Sequence, residues 1–563
     1  MLTELLLAAT ITHWAVEPMS GIRRTYDTKP EGGENAAVRI LAARGEYEPG
    51  SFVLSSDADL KDQEVKVSDL RCGAETIPAS ALDVKVVKVW FQQGTAWHGF
   101  HSDSLRRVAT PELLLHDEAL VRSDERTKED YVRADLPDGT QAYYWISYTG
   151  AALDHEVCFG SHNKWIHDAA EIRPVALEKG RYKQFWLTLH VPADAKGGLY
   201  SGTVKVGAHA VPVEVRVLPF ALPRPGVFRD PKREFIVSAY CDNKVLNLAD
   251  NPEYAKNLAA HNLLNPLVEN IRTPEEAARL FRTIAEAALD TNRVMTALPS
   301  ADVTVSTPPE PDDLKYEEYF ARLGAISNAM AHIRRAYGEA VTPYAYGVDE
   351  ASLAKTRAQR SIWMATQAMG GRVIAASKWR PFALFAQDAV NFPMQPSASR
   401  KVQADLLHDS NPDALAGWYC DPHSGPENPE FTRRLYGWQT WRNGYDMVCQ
   451  YLLFRNGWSE YWQPWEPNLR GLNLCYDQDG GIVDTLAWEA FREGIDDIRY
   501  GTLLKTLAEE ARVSKDINVA YEGRVALTYL AQVPFETSSL TTIRYEMAHR
   551  IVSLLKTLGK EVR

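Results

Sequence analysis

Nowhere does the 563-residue chain run through about 18 consecutive apolar residues, the least that crosses a bilayer as a helix, so no membrane span is expected. Cysteine is scarce, with six residues at Cys72, Cys158, Cys241, Cys420, Cys449 and Cys475. No two stand at Cys-x-x-Cys spacing, which excludes the common structural zinc modules and gives no disulfide framework. Buried reduced thiols are the default, with room for one or two bridges. There is no Lys/Arg-rich run, and the formal net charge is −12. An acidic surface repels phosphates and anionic lipid, so nucleic acid is excluded as a partner and a neutral ligand fits more easily. The chain also lacks a His-Glu-x-x-His pair, a phosphate-cradling glycine loop and a Gly-x-Ser-x-Gly elbow. Neither a metal nor a cofactor is expected. Internal repeats and low-complexity segments are absent.

What is present is ordinary globular material, 45% apolar and 24% charged, in a chain too long for one core. Residues 1–220 alternate in short β-like segments, among them Val84–Trp90, Phe185–Val191 and Val211–Leu218, separated by turn signals such as Lys196-Gly197-Gly198. That pattern predicts an N-terminal β-sandwich, interrupted by a long insertion at about 92–178. The opening MLTELLLAATITHW has no basic n-region and reads as a first strand or a trimmed leader. The prolines at 219, 223 and 225 mark an extended linker and a domain boundary.

Beyond it the texture changes. Strand-like runs at Phe235–Tyr240, Val294–Leu298, Thr342–Val348, Arg372–Ala376, Ala416–Cys420 and Tyr445–Tyr451 alternate with helical spacing at Pro274–Asp290, Tyr316–Tyr337 and Leu353–Met369. Strand–helix alternation at this length predicts a (β/α)8-like barrel over 221–500, followed by C-terminal helices over 501–563. The fold class is therefore a multidomain α/β plus β protein. In the helix after Val483, Asp484 is the expected cap and Phe491, Ile495, Ile498 and Leu503 the apolar stripe.

The sharpest chemical signal is Tyr344-Ala345-Tyr346-Gly347-Val348-Asp349-Glu350, an aromatic strand running into two adjacent carboxylates before a helix. At the C-terminal end of a barrel strand both acids reach the usual active-site face. They serve one site only if the strand ends before Glu350, because successive strand residues point to opposite faces. Cleaving a glycosidic bond needs a proton on the leaving oxygen, and a neighbouring carboxylate helps a carboxyl keep that proton near neutral pH. The ordinary alternative is acidic residues in a helix first turn. Asp117-Glu118 and Asp124-Glu125 show that the dipeptide alone is weak.

Tyr346, Trp418, Tyr419, Trp458 and Trp462 are candidate walls of a sugar pocket, with Tyr419 a candidate donor to a substrate carbonyl. For any single tryptophan, core packing is the commoner outcome. In Trp488–Tyr500 the charges fall at helical spacing, so Arg492 can pair with Glu489, Asp496 or both. That is chiefly a structural pattern, with Glu489 kept as a candidate substrate-binding residue.

Three stretches carry a family resemblance. Ala42-Ala43-Arg44-Gly45-Glu46-Tyr47-Glu48, then Gln184–Pro192 with Gly197–Gly202, then Gly480–Glu489 with Arg492–Asp497, resemble glycoside hydrolase family 123 in the same order along nearly the whole chain. The resemblance implies a bacterial, exo-acting β-N-acetylhexosaminidase, galactosamine favoured, that works by substrate-assisted retention. Asp349 would orient the substrate's acetamido group and Glu350 would be the acid, then the base. A carbohydrate would be the substrate and a periplasmic or extracellular location the expectation, with a cytoplasmic one as the alternative. Oligomeric state stays open, a homo-oligomer included. The chain departs from the pattern at Leu486-Ala487 and at Cys449-Gln450-Tyr451, which touches the sugar identity more than the reaction class. Two other readings remain: a retaining or inverting glycosidase for a non-acetamido sugar, in which Glu350 is still the acid and Asp349, Glu269 or Glu489 supplies a second carboxylate about 5 to 9.5 Å from it, and a non-catalytic carbohydrate-binding protein.

Overall fold

The computed structural model describes residues 9–92, 107–147, 160–225, 227–228, 230–240, 248–268, 271–296, 308–347, 350, 352–377, 381–395, 401–410, 415–419, 428–454, 458 and 473–560. The N-terminal part is a sandwich of two sheets. One has the order Ile11–Ala15, Tyr47–Ser56, Tyr182–His190, Leu82–Gln92, Val108–Leu115; the other is built around Val38–Arg44, His209–Ala221 and Gly198–Val206. Period-two alternation explains the packing: Val211, Val213, Val215 and Val217 are buried while Pro212 and Arg216 are exposed. They meet Ile40, Phe52, Leu54, Val84, Phe185 and Leu187 in one core. The strand His209–Ala221 runs on through Pro219 with a register shift after Val217, a position where a missing N–H is tolerated.

Within the span read as an insertion, Val108–Leu115 returns to pair with Leu82–Gln92 as the sheet's outer strand. Val121–Asp124, Glu129–Asp135 and Gln141–Trp145 form a separate small sheet. Its apolar face packs with Trp90 on Trp458, Tyr476 and Val483 from the chain after the last barrel strand.

Eight parallel strands follow: Ile236–Ala239, Leu267–Val268, Arg293–Thr296, Thr342–Tyr346, Arg372–Ala376, Phe392–Gln395, Gly417–Tyr419 and Met447–Gln450. Neighbouring strands pair in sequence order, and the eighth pairs with the first. Asn265 N–H donates to Val237 O at 3.0 Å and bridges the remaining seam. The fold is a (β/α)8-like barrel behind a β-sandwich, with C-terminal helices Ile517–Gln532 and Leu540–Thr557 packed on the long helix Leu486–Arg512. Inside the barrel, Ile236, Met295, Tyr344, Ile374, Phe392, Met394, Met447 and Cys449 fill the lower layers, as expected of a packed barrel and not a pore.

The helix Leu486–Arg512 departs from its expected amphipathic form. Residues 486–498 are buried on every side, charges included. Its N-cap is Thr485, whose hydroxyl accepts from Trp488 N at 3.1 Å, and not Asp484. Asp484 instead accepts from Lys85 at 2.7 Å and Asn257 at 2.8 Å. Gly437 and Gly494 let this helix touch the preceding one backbone to backbone, since a Cβ on Gly437 would lie 2.8 Å from Gly494 O.

Candidate active site

The fourth barrel strand stops at Tyr346, and Gly347 N–H reaches across to Ile374 O at 2.6 Å. Gly347 is needed there: a Cβ would sit 3.0 Å from Trp363 and 3.2 Å from Ala375. Glu350 follows on a turn, exposed, with its backbone in the left-handed region at φ +46°. A non-glycine residue held there costs roughly 1–3 kcal/mol, a strain that concentrates at functional turns. The next helix, Leu353–Ala368, is capped by Ser352, whose hydroxyl accepts from Lys355 N at 3.2 Å, and its first turn holds no acid. The commonplace use of an Asp-Glu pair, completing a helix N-terminus, is therefore not what Glu350 does. Asp349 lies outside the described residues, as do Trp462 and Glu269.

Four tyrosines gather at the same end of the barrel. Tyr346 ends the fourth strand, Tyr419 the seventh, and Tyr240 and Tyr451 directly follow the first and eighth. Tyr240 stands among them, edge-on to Tyr346 at 5.5 Å, Tyr419 at 6.3 Å and Tyr451 at 5.9 Å. The Tyr240 and Tyr346 hydroxyls are 2.8 Å apart. Tyr346 and Tyr419 were expected at a pocket wall, and Tyr451 near it as part of a departure from the family pattern; Tyr240 was not expected. The signal that could have found Tyr240 is its place, an aromatic ending a β-branched run.

Three other expected residues lie elsewhere. Trp418 points from the barrel toward the helix layer, fully buried, stacked on Tyr436 at 5.2 Å and donating to Thr440 Oγ1 at 3.1 Å. Strand alternation decides this: with Tyr419 inward, its neighbour must face outward. Trp458 is buried against Trp90 and Tyr476 and donates to Asp477 O at 2.8 Å, so it fastens the small sheet and does not wall the mouth.

Glu489 is the third, 1% exposed at the junction of sandwich and barrel. Arg492 grips it with two bonds of 3.0 and 2.7 Å, Trp186 Nε1 donates at 3.0 Å, and His261 Nε2 stands at 3.3 Å. Burial would raise its pKa, but Arg492 and then His261 outweigh burial and hold it below the usual carboxylate range. Among the described residues the other carboxylate that Arg492 bonds is Glu493, at 3.3 Å, while Asp496 accepts from Arg499 and, at 2.9 Å, from Asn262. The wider cluster runs on through Arg433–Asp497 at 2.8 Å, Arg544–Glu48 at 2.8 Å and Tyr500–Glu46 at 2.8 Å. Carboxylates outnumber cations in it, and burial followed by Asp496 pushes Glu46 up to about 8.

Among the described residues one group could hold a metal by proximity, His261, Asp484 and Glu489. Its carboxylate oxygens already accept from Lys85, Asn257, Arg492 and Trp186, so cationic side chains stand where an ion's charge would be. This donor set is an ion-pair network, unsuited to a metal. Cys72 and Cys449 are free thiols. None of the described helices is long and apolar enough to cross a membrane.

Barrel and sandwich together have the architecture of a glycoside hydrolase of family 123 from Clostridium perfringens, whose structure was used to detail glycolipid glycan hydrolysis. The two superpose with a TM-score of 0.55 over 92% of this chain and 93% of that one, at 11% identity. The fold is thus family 123-like, and the identity is too low to carry more than the fold. The CBM22-1 and GH10 modules of a Clostridium thermocellum endo-1,4-β-D-xylanase overlap at a TM-score of 0.21 and 9% identity, covering 74% of this chain and 95% of that one, which supports no argument. Neither a protein-family model nor a curated protein sequence matches the chain.

Proposed function

We propose that the protein is a glycoside hydrolase, a β-N-acetylhexosaminidase with galactosamine favoured, using Asp349 and Glu350 in substrate-assisted retention. The observation that carries this reading is Glu350: a carboxylate on a left-handed turn at the C-terminal end of a barrel strand, released from helix capping by Ser352. The family 123-like fold agrees with it. In this reading Glu350 gives its proton to the glycosidic oxygen as the C1–O bond breaks. The substrate's own acetamido oxygen attacks C1, with Asp349 accepting from the acetamide N–H as positive charge grows. Glu350, now ionised, takes a proton from water, which opens the oxazolinium ring at C1 and restores the configuration. Tyr346 and Tyr419 line the pocket.

The test is hydrolysis of 4-nitrophenyl N-acetyl-β-D-galactosaminide by wild type, Glu350→Gln and Asp349→Asn. Turnover by wild type, with losses of about 10²- to 10⁴-fold in each variant, supports the reading. Release from non-acetamido glycosides alone moves the assignment to another glycosidase, and sugar binding without release from any glycoside moves it to a binding protein.

A further inference from the structure

The first and fourth strands stand three places apart around the barrel of eight and do not pair, so the hydroxyl contact between Tyr240 and Tyr346 reaches over its mouth like a crossbar. Beneath it the barrel is filled with Met295, Met394 and Cys449, and neither ring can sink. Tyr240 is also held by its backbone: its N–H donates to Gln450 O at 2.8 Å and its carbonyl accepts from Leu453 N–H at 2.9 Å. Its ring is wedged between Tyr419 and Tyr451. Tyr346 is held differently. It is the last strand residue before Gly347 and the turn that carries Glu350 four positions later, and its phenol meets the firmly held one opposite.

We propose that the Tyr240–Tyr346 crossbar is the floor of the sugar subsite and that Tyr240 is a positioning residue, fixing the Tyr346 hydroxyl and with it the height at which a pyranose rests beside Glu350. The inference rests on the glycosidase reading above and adds to it a residue from three strands away around the barrel. The chemistry suits the class of ligand. Aromatic edges around two hydroxyls offer an apolar rim to a sugar's C–H face and a polar centre to a substituent directed down the barrel axis.

The test compares Tyr240→Phe, Tyr346→Phe and the double variant, with 4-nitrophenyl N-acetyl-β-D-galactosaminide for kinetics and N-acetylgalactosamine for calorimetric binding. Phenylalanine keeps the ring floor and removes the hydroxyl contact. Each single variant is expected to lose about tenfold in kcat, equivalent to about 1.4 kcal/mol, with KM changed less than about twofold. The double variant should lose no more than either single, because both remove one shared contact. A purely structural role would lower melting temperature and leave the kcat losses additive. Wild-type kinetics in Tyr240→Phe, or additive losses, overturn the inference while leaving the glycosidase reading in place. A wild type that binds N-acetylgalactosamine without hydrolysing any glycoside overturns that reading, and the crossbar then stands if the two variants weaken binding non-additively and falls if they do not. Neither turnover nor binding by wild type overturns both.

Discussion

Replacing Arg492 with leucine removes the cation at the centre of the junction between sandwich and barrel. The guanidinium is 1% exposed, bonds Glu489 twice and Glu493 once, and lies 5.9 Å over the Tyr47 ring. Deleting one partner of a buried pair leaves its carboxylate uncompensated, at a cost of about 3–5 kcal/mol. A 563-residue chain melting as one unit has an entropy of about 2.1 cal/mol/K per residue, so the loss lowers Tm by only about 3–4 °C. The larger sign is in the shape of the transition. Glu489 is held from both sides, by Trp186 and Thr188 of the sandwich and by His261 and Arg492 of the barrel half, so weakening it uncouples the two parts. Scanning calorimetry should show one transition in wild type and two in Arg492→Leu. Replacing Glu489 and Arg492 together with leucine should recover part of the loss, since no charge of this pair then stays buried alone. Glu489→Gln should lower stability while kcat and KM of the folded fraction stay unchanged. A single transition within 1 °C of wild type in Arg492→Leu would refute the reasoning.

Two further outcomes follow from burial. Asp477, between Asn163 at 2.7 Å and the Tyr254 hydroxyl, is pushed up to about 6, by burial first and then by the nearby Asp479, against the Asn163 amide. Its folded value lies above the unfolded one, so the native state binds the extra proton between about pH 4 and 6 and stability falls as pH rises through that window, by about 3 kcal/mol at most. Asp477→Asn should flatten this fall in urea midpoints measured at pH 4.5 and 7, and an unchanged slope would assign the dependence to another group. Trp418→Phe should cost about 1 kcal/mol through the lost bond to Thr440 and leave KM unaltered; a KM shift beyond twofold would return the indole to the substrate.

Much of the barrel was legible because its elements are long or strongly patterned. Tyr316–Tyr337 and Arg372–Ala376 end where periodicity ends them. Leu267–Val268 was not legible, since two residues show no period, and Phe392–Gln395 was hidden by Pro393. At the mouth, residue type proved a poorer guide than position. Trp418 and Tyr419 look equally suited to a sugar, and only the direction of one strand, which a neighbouring inward residue decides, separates them. Tyr240 was passed over because its partner Tyr346 stands 106 positions away, and no local pattern encodes a contact across a barrel.

The three stretches that carried the family resemblance meet in one place, and it is not the mouth. Glu46 and Glu48 of the first bond Tyr500 and Arg544; Trp186 and Thr188 of the second bond Glu489; Arg492, Glu493 and Asp497 of the third complete the cluster. A charge buried there can change only with its partners, whereas an exposed residue at a barrel mouth can change alone. A resemblance built on such residues reports how the sandwich is locked to the barrel. That is why it foretells the architecture at 11% identity, while in the proposed reading the choice of sugar falls to Glu350, Tyr240, Tyr346, Tyr419 and Tyr451 at the mouth.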